Sequence, residues 1–529
     1  MAHSTACPGC GRATATWSTR CGACGTPLNG PKPAATRSGA LGTTPQTARG
    51  PTTWGGGQAP PATIRWGGGL DVTRYLCAAT YLDRAYAELL IRQIAAEPHL
   101  GVGAAPACDV PVVLRHAYVA NARRHQRDLL LSLLLVLTLF SPAWFRGFAS
   151  TPLLLFLSWM TVLVFELSTR YGRHLQNLRP NRFDPAAAPP PPNGDVAARL
   201  GEISAYAHGN VTAYSGYSPF VGYGVPLDSW SLTFDVTAPG PLGGTPQDFD
   251  VTELYEHVAQ RLGTLSLPCL EIEERLFVEG TTVLGDTRFL SDPLGRPVPR
   301  IAQSQMDELK RAPEEGARPY LAVHSTGWGG DLVTSLFLRF VRSDSNLCVE
   351  AVQTVLFPLD DRYRMIDTLM PRPSLRGTAE LMTATLFSTP FVMLAAPVRA
   401  VTGFSPDYWI TWRVRRQNKR ITSLRRFDYG ARWGVRQQAA GDRHQRHFQK
   451  ADSGLALKMI ERRALDALIE FAEARGIDVS ELVQRQQLIV NNGIIATGGA
   501  QVTSSSIASG SQSRISMRLL NKIPLVNTD

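Results

Sequence analysis

Residues 129–167 read LLLSLLLVLTLFSPAWF, then Arg146 and Gly147, then FASTPLLLFLSWMTVLVFEL, giving two apolar runs of seventeen and twenty residues. Each approaches the roughly 20 residues that cross a hydrocarbon core about 30 Å thick. A buried helix of a soluble protein keeps a polar stripe, but between Leu129 and Phe145 the only polar side chains are Ser132, Thr138 and Ser141. The break containing Pro142, Gly147 and Pro152 is too short to hold a domain, so the two runs predict a transmembrane helical hairpin. Arg115, Arg123, Arg124 and Arg127 precede it and Arg170, Arg173, Arg179 and Arg182 follow it, against Arg146 alone in the turn. Positively charged flanks resist translocation, so the expectation is a multi-pass protein of the cytoplasmic membrane with both termini cytoplasmic. Trp144 suits a bilayer boundary, while Trp159, mid-run, is expected to pack against the partner helix.

The rest of the chain is soluble in character. A length of 529 residues with 44% apolar content suits about two to four domains with real cores, not a many-helix transporter. Met1–Cys10 has neither an apolar run nor a small-residue cleavage site, so no secretory signal is read there and the first domain is expected in the cytoplasm. Cys77, Cys108, Cys269 and Cys348 are scattered singly among apolar neighbours and read as small hydrophobes, not as a disulfide framework. The other four fall in two knuckles, Cys7-Pro-Gly-Cys10-Gly11 and Cys21-Gly-Ala-Cys24-Gly25. Four thiolates so spaced suit tetrahedral zinc, closed and therefore structural, and the following glycines let the chain turn round the metal. Over residues 5–28 the pattern resembles the short zinc ribbons at the N-termini of many bacterial membrane and regulatory proteins, which contact protein or nucleic acid. A redox pair is the competing reading, but such motifs come singly within a longer α/β pattern.

The expected fold class is multidomain: zinc ribbon, transmembrane α-hairpin, and a cytoplasmic α+β body with C-terminal helices and a β tail. The ribbon occupies 1–28; a linker over 29–69, rich in Gly, Pro, Thr and Ala, has no apolar periodicity. A juxtamembrane region, 70–128, opens with an amphipathic helix over 71–97, with Leu76, Ala79, Leu82, Ala85, Leu89 and Ile91 on one face. After the hairpin, a proline-stiffened linker at 184–195 leads to an α+β domain at 196–376. There, short β-branched or alternating runs predict strands at Val211–Tyr214, Trp230–Val236, Cys269–Val278, Tyr320–His324, Val333–Val341 and Cys348–Leu356. Helices are predicted at Val251–Leu262 and near Ile301–Arg311.

The stretches SPFVGYGVPLDSWSLTFDV (218–236), FDYGARWGVRQ (427–437) and NNGIIATGG (491–499) resemble large actinobacterial membrane proteins of uncharacterised activity, a likeness that covers most of residues 70–510. It implies no activity. GYG at 222–224 has no helix start behind it and is no phosphate loop. His324, Ser325 and Asp331 could be drawn as a catalytic set, but the alternation around GWGGD reads as a hairpin turn. No GxSxG, HExxH or P-loop pattern occurs.

Residues 377–450 form an apolar stretch followed by a basic one. TAELMTATLFSTPFVMLAAPV (378–398) carries Pro390 and Pro397, which argue against a long helix. Behind it, residues 399–450 hold thirteen Arg and Lys and three acids, a surplus equal to the chain's whole net charge of +10. Such a block resists translocation, so the segment is expected to dip into or lie on the membrane. Trp409, Trp412, Arg413, Arg415, Arg416, Lys419 and Arg420 are the candidate contacts with an anionic lipid surface. An ordinary solvated face is the plainer alternative. Nucleic-acid binding is disfavoured because the aromatics precede the charges and do not interleave with them. A helical region follows at 451–490, with a helix over Leu455–Arg475 capped by Asp452 or Ser453 and a new start at Asp478, and then a β-rich or disordered tail at 491–529.

Together these readings describe a non-enzymatic docking protein that recruits a cytoplasmic protein or a large assembly, such as a contractile phage-tail-like particle, to the membrane. A membrane-perturbing effector and a ribbon-mediated nucleic-acid regulator are the rival classes.

Overall fold

The computed structural model describes residues 4–6, 13–15, 69–144, 151–241, 245–368, 373–404 and 406–491, and the chain divides into two units, 1–61 and 62–529. In the first unit, β1 (Ser4–Ala6) and β2 (Ala13–Ala15) pair antiparallel, Ser4 opposite Ala15, and bracket the first cysteine knuckle. Cys7, Cys10, Cys21 and Cys24 lie outside the described residues, as do most of the 29–69 linker and the tail beyond Asn491.

The second unit opens with α1 (Gly69–Leu82) and α2 (Arg84–Leu90), the latter continuing as a wide turn over Ile91–Ala95. The single helix predicted over 71–97 is broken at Asp83, whose carboxylate caps α2 by accepting the Tyr86 N–H at 3.1 Å. The break resets the phase. Tyr86, Ala87 and Leu90 go inward and Ala85 is exposed.

α3 (Val110–Trp144) is continuous for 35 residues, and α4 (Thr151–Tyr171) returns beside it, followed by α5 (Arg173–Asn177) and α6 (Gly194–Tyr206). The proline-rich stretch ahead of α6 ends at Asn193, whose side chain caps that helix. The first half of α3 belongs to the body: Val113, Leu114 and Ala117 are buried in a core with Leu76 and Ala79 of α1 and Leu200 of α6. The antiparallel course of α3 and α4 is fixed by a hydrogen bond from Arg123 to Ser168 (2.7 Å) and by Leu131 packing with Val162. Residues 145–150, the expected hairpin turn, lie outside the described residues.

Next come β3 (Val211–Tyr214), β4 (Val225–Asp235), α7 (Val251–Leu262), β5 (Leu270–Glu279), α8 (Gln303–Arg311), β6 (Ala317–Gly327), β7 (Leu332–Arg342) and β8 (Asn346–Leu356). All six strands fall at predicted places, and α7 has the predicted bounds. They make one sheet ordered β3-β5-β6-β7-β8-β4, parallel between β3 and β5 and antiparallel elsewhere. Period-2 alternation assigns the faces. Leu321, Val323, Leu336 and Leu338 pack under α7 and α12 (His447–Ala474), while Tyr320, Ala322 and Phe337 join Phe220, Tyr223 and Phe277 on the other side.

The C-terminal portion runs through α9 (Met365–Thr368), α10 (Leu375–Phe404), α11 (Pro406–Lys419), α12 and α13 (Ser480–Asn491). α12 starts eight residues before the predicted Leu455. Asp452 and Ser453 are not its caps, because Asp452 accepts from the Trp328 indole (3.0 Å) and Ser453 pairs with His444 (3.0 Å). Asp478 does accept the Ser480 N–H, at 3.0 Å, where α13 begins.

Between α11 and α12, residues 427–437 run along the outer edge of β3. Ala431 donates to the Ala213 carbonyl (2.8 Å), and Tyr429 bonds Gly280 on one side and Gly101 on the other (3.0 and 2.7 Å). Gly222 passes so close to residue 104 that an added Cβ would stand 1.8 Å from the Ala104 carbonyl oxygen, and its φ is +95°. A Cβ on Gly434 would stand 2.7 Å from the Gly222 Cα. Gly222→Ala is therefore expected to destabilise the solubilised full-length protein by more than about 1 kcal/mol. Gly201→Ala, in α6 with open space around it, should leave stability unchanged or raise it slightly. Thermal unfolding of the two variants side by side checks both.

Candidate membrane-contact site

Among the described residues, two helices are long and apolar enough to cross a membrane, Thr151–Asn177 and Leu375–Val401. Their surroundings begin with a layer of charge. Asp128, only 1% exposed, is paired with Arg84 and Arg127, each at 3.0 Å, and Arg127 reaches Glu166 of α4 at 3.8 Å. A buried carboxylate needs such partners. Past this layer α3 turns Leu129, Leu130, Leu133, Val136, Leu139 and Phe140 to the exterior, and α4 exposes Leu153, Leu155 and Phe156.

α10 lies against this pair. Leu381, Thr385, Thr389, Met393, Ala396 and Ala400 form its buried stripe. Trp159, expected against the other helix of the hairpin, is engaged by α10 instead: its indole N–H donates to the Thr385 hydroxyl at 3.2 Å. The outward face carries Phe387, Phe391, Leu394, Val398 and Val401, each about two-thirds to three-quarters exposed (Phe391 76%). The prolines were expected to preclude a long helix here, yet α10 runs thirty residues through both of them. Ser388 and Thr389 turn their hydroxyls back onto the Thr385 carbonyl in the turn before Pro390.

α11 carries the remaining candidates and divides them. Arg413 is turned to the body, where it meets Glu97 at 2.8 Å; Glu97 is 2% exposed and also accepts from Gln417 at 2.9 Å. One residue on, Asn418 meets the His99 ring at 2.7 Å, and burial holds the His99 pKa below its ordinary value. Arg415, Arg416, Lys419 and Arg420 are exposed, as is Trp412 (48%), with the Arg416 guanidinium 5.5 Å from the Trp412 ring. Trp409 lies one turn earlier on the same helix. The +10 block is thus no single surface: Arg413 holds Glu97, Arg436 is wholly buried against the Pro106 carbonyl (2.7 Å), and Arg446 stacks on Trp328.

His324, Ser325 and Asp331 do not converge. The His324 ring meets Ser335 at 2.7 Å and Glu273 at 3.6 Å, and the charges of Arg275 and His324 hold the Glu273 carboxyl well below the usual range against the opposing cost of burial. Asp331 accepts the Leu359 N–H and pairs with Arg364. Residues 327–331 form the turn of the β6–β7 hairpin, with Gly329 at φ +67°. Sequence reading missed Glu97 and Asp128, since nothing local marks either; the 387, 391, 394, 398, 401 spacing of α10 was there to be read.

The geometry defines a class: an α+β body carrying apolar helices long enough to cross a membrane. A family model described as an AbeC-like domain matches residues 229–503, and the chain belongs to that family. The match takes in β4–β8, α10, α11 and the helices behind them, and leaves out the cysteine knuckles and the α3–α4 pair. No curated protein and no solved structure matches the chain, so the likeness to actinobacterial membrane proteins gains no named relative.

Arg413→Ala strands a buried carboxylate and is expected to cost roughly 1–3 kcal/mol, whereas Arg415→Ala should fall within about 0.5 kcal/mol of the parent. Unfolding of both variants, with amide exchange followed at residues 96–101, is the measurement.

Proposed function

We propose that this chain is a non-enzymatic docking protein of the cytoplasmic membrane, held by the α3–α4 hairpin and presenting its body to a cytoplasmic protein or large protein assembly. The observation that carries the reading is the apolar surface beyond the Asp128–Arg127–Glu166 layer. From Asp128 to Trp144, α3 rises about 24 Å, close to the thickness of a hydrocarbon core. Soluble monomers rarely expose contiguous apolar patches beyond a few hundred Å². The arginines before α3's apolar half and after α4 favour a cytoplasmic body with both termini on its side. Arg415, Arg416, Lys419 and Arg420 supply charge for anionic headgroups. A docking role, not an enzymatic one, is supported by the structural engagement of the residues that could have formed a catalytic set: His324 in the sheet, Asp331 with Arg364.

The N-terminal unit would bind one zinc through Cys7, Cys10, Cys21 and Cys24, on the strength of the two knuckles and of the β1–β2 pair that brackets the first. Such a ribbon on a linker suits partner contact.

Topology reporters fused before Met1 and after Asp529 should both report cytoplasm, and carbonate washing should leave the protein in the membrane; a periplasmic signal at either end refutes the arrangement. Full-length protein should carry one equivalent of zinc, reduced in Cys21→Ser with membrane retention unchanged. Metal analysis that finds no zinc, or none lost in the variant, rejects the ribbon.

A further inference from the structure

α10 passes the length and composition test for a membrane span, yet both of its ends are tied to the body. Before it, the Asp367 carboxylate holds Arg74 at 2.6 Å and the Tyr75 hydroxyl, and Arg74 is buried against the Leu178 carbonyl. Close to its start, a Cβ on Gly377 would stand 3.9 Å from the Tyr171 hydroxyl, at the body end of α4. After it, Arg413 and Gln417 grip Glu97, Asn418 meets His99, and Ile421 is buried with Leu276, Val278 and Tyr429.

A thirty-residue helix is about 45 Å long. Were α10 to stand upright on the body, Phe404 would be that far away. The nine residues from Phe404 to Arg413, of which Pro406–Arg413 are helical and rise only about 11 Å, could not return the chain to Glu97.

Its contacts fix the level at which it lies. Ala396 clusters with Leu131 and Val162, about 5 Å past Asp128 and Glu166, and Thr385 meets Trp159, about 10 Å past Glu166. Half of a bilayer core is about 15 Å.

We infer that α10 does not cross the bilayer but lies within its body-side leaflet, slanting across the base of the α3–α4 hairpin with Phe387, Phe391, Leu394, Val398 and Val401 among the acyl chains. The inference rests on the membrane reading above. The lipid surface is its occupant because the face continues the apolar exterior of α3 and α4 and runs directly into Trp412 and the exposed cations of α11, which suit anionic headgroups. One protein would then hold its membrane by two different contacts, a hairpin through it and a helix within one leaflet.

The test uses full-length protein in vesicles of phosphatidylcholine and phosphatidylglycerol. Nitroxides are carried on a keto-bearing amino acid placed singly at Leu133, Phe387, Phe391 or Val398, which leaves the cysteines untouched. Collisional relaxation by oxygen against a water-soluble nickel chelate gives the depth of each. The expected result is preferential oxygen relaxation at all four, with Phe387 and Val398 within one leaflet and only a few ångströms apart in depth. A depth difference approaching the about 16 Å that separates them along the helix, placing them in opposite leaflets, overturns the inference. Dipolar broadening between copies at Phe391 also overturns it, since a second chain would then cover the face. Nickel access at Leu133 would instead refute the membrane reading of the hairpin.

Discussion

Two glycines hold three parts of the chain against one another. Gly222 and Gly434 pass with no room for a side chain between them, and Gly222 is at the same time pressed on the Ala104 carbonyl. Three stretches far apart in sequence meet there: the loop between α2 and α3, the turn before β4, and the chain returning from α11. Gln437 fastens the meeting by accepting the Gly222 N–H at 2.7 Å and donating to the Gly224 carbonyl at 3.3 Å. Through it the helical layer, the edge of the sheet and the strand-like 427–437 segment become one body. The placement of α10 depends on this, because the loop that offers Glu97 to Arg413 is the one held at Gly101 by Tyr429.

Much of the architecture was legible in short-range pattern. Alternation located all six strands, and apolar periodicity gave both bounds of α7, which Asp250 caps. What escaped was decided at long range. Asp452 and Ser453 looked like helix caps, but Trp328 and His444 claim their side chains, so α12 begins earlier. Pro390 and Pro397 looked like helix breakers, yet α10 runs through both and packs on α3 and α4 through Ala396 and Thr385. Arg413 looked like its neighbours on α11, and only the fold brings Glu97, some three hundred residues earlier, to it. Of the surface cations proposed from sequence, four remain on the surface.

The boundary of the AbeC-like match adds to this picture. It encloses α10 and α11 with β5–β8 and most of β4, while β3 and the α3–α4 pair stand outside. The α3–α4 pair is joined to α10 through Trp159 and Thr385.

α3 has one more consequence. It is unbroken for about 52 Å, its first half sunk in the body's core and its second half among apolar exposed side chains. No linker intervenes between the two halves. The body therefore cannot swivel on the exposed half of α3 as a tethered domain would, because turning it would mean unpacking Val113, Leu114 and Ala117 from the core. On the membrane reading proposed above, the body would meet the bilayer at one fixed bearing.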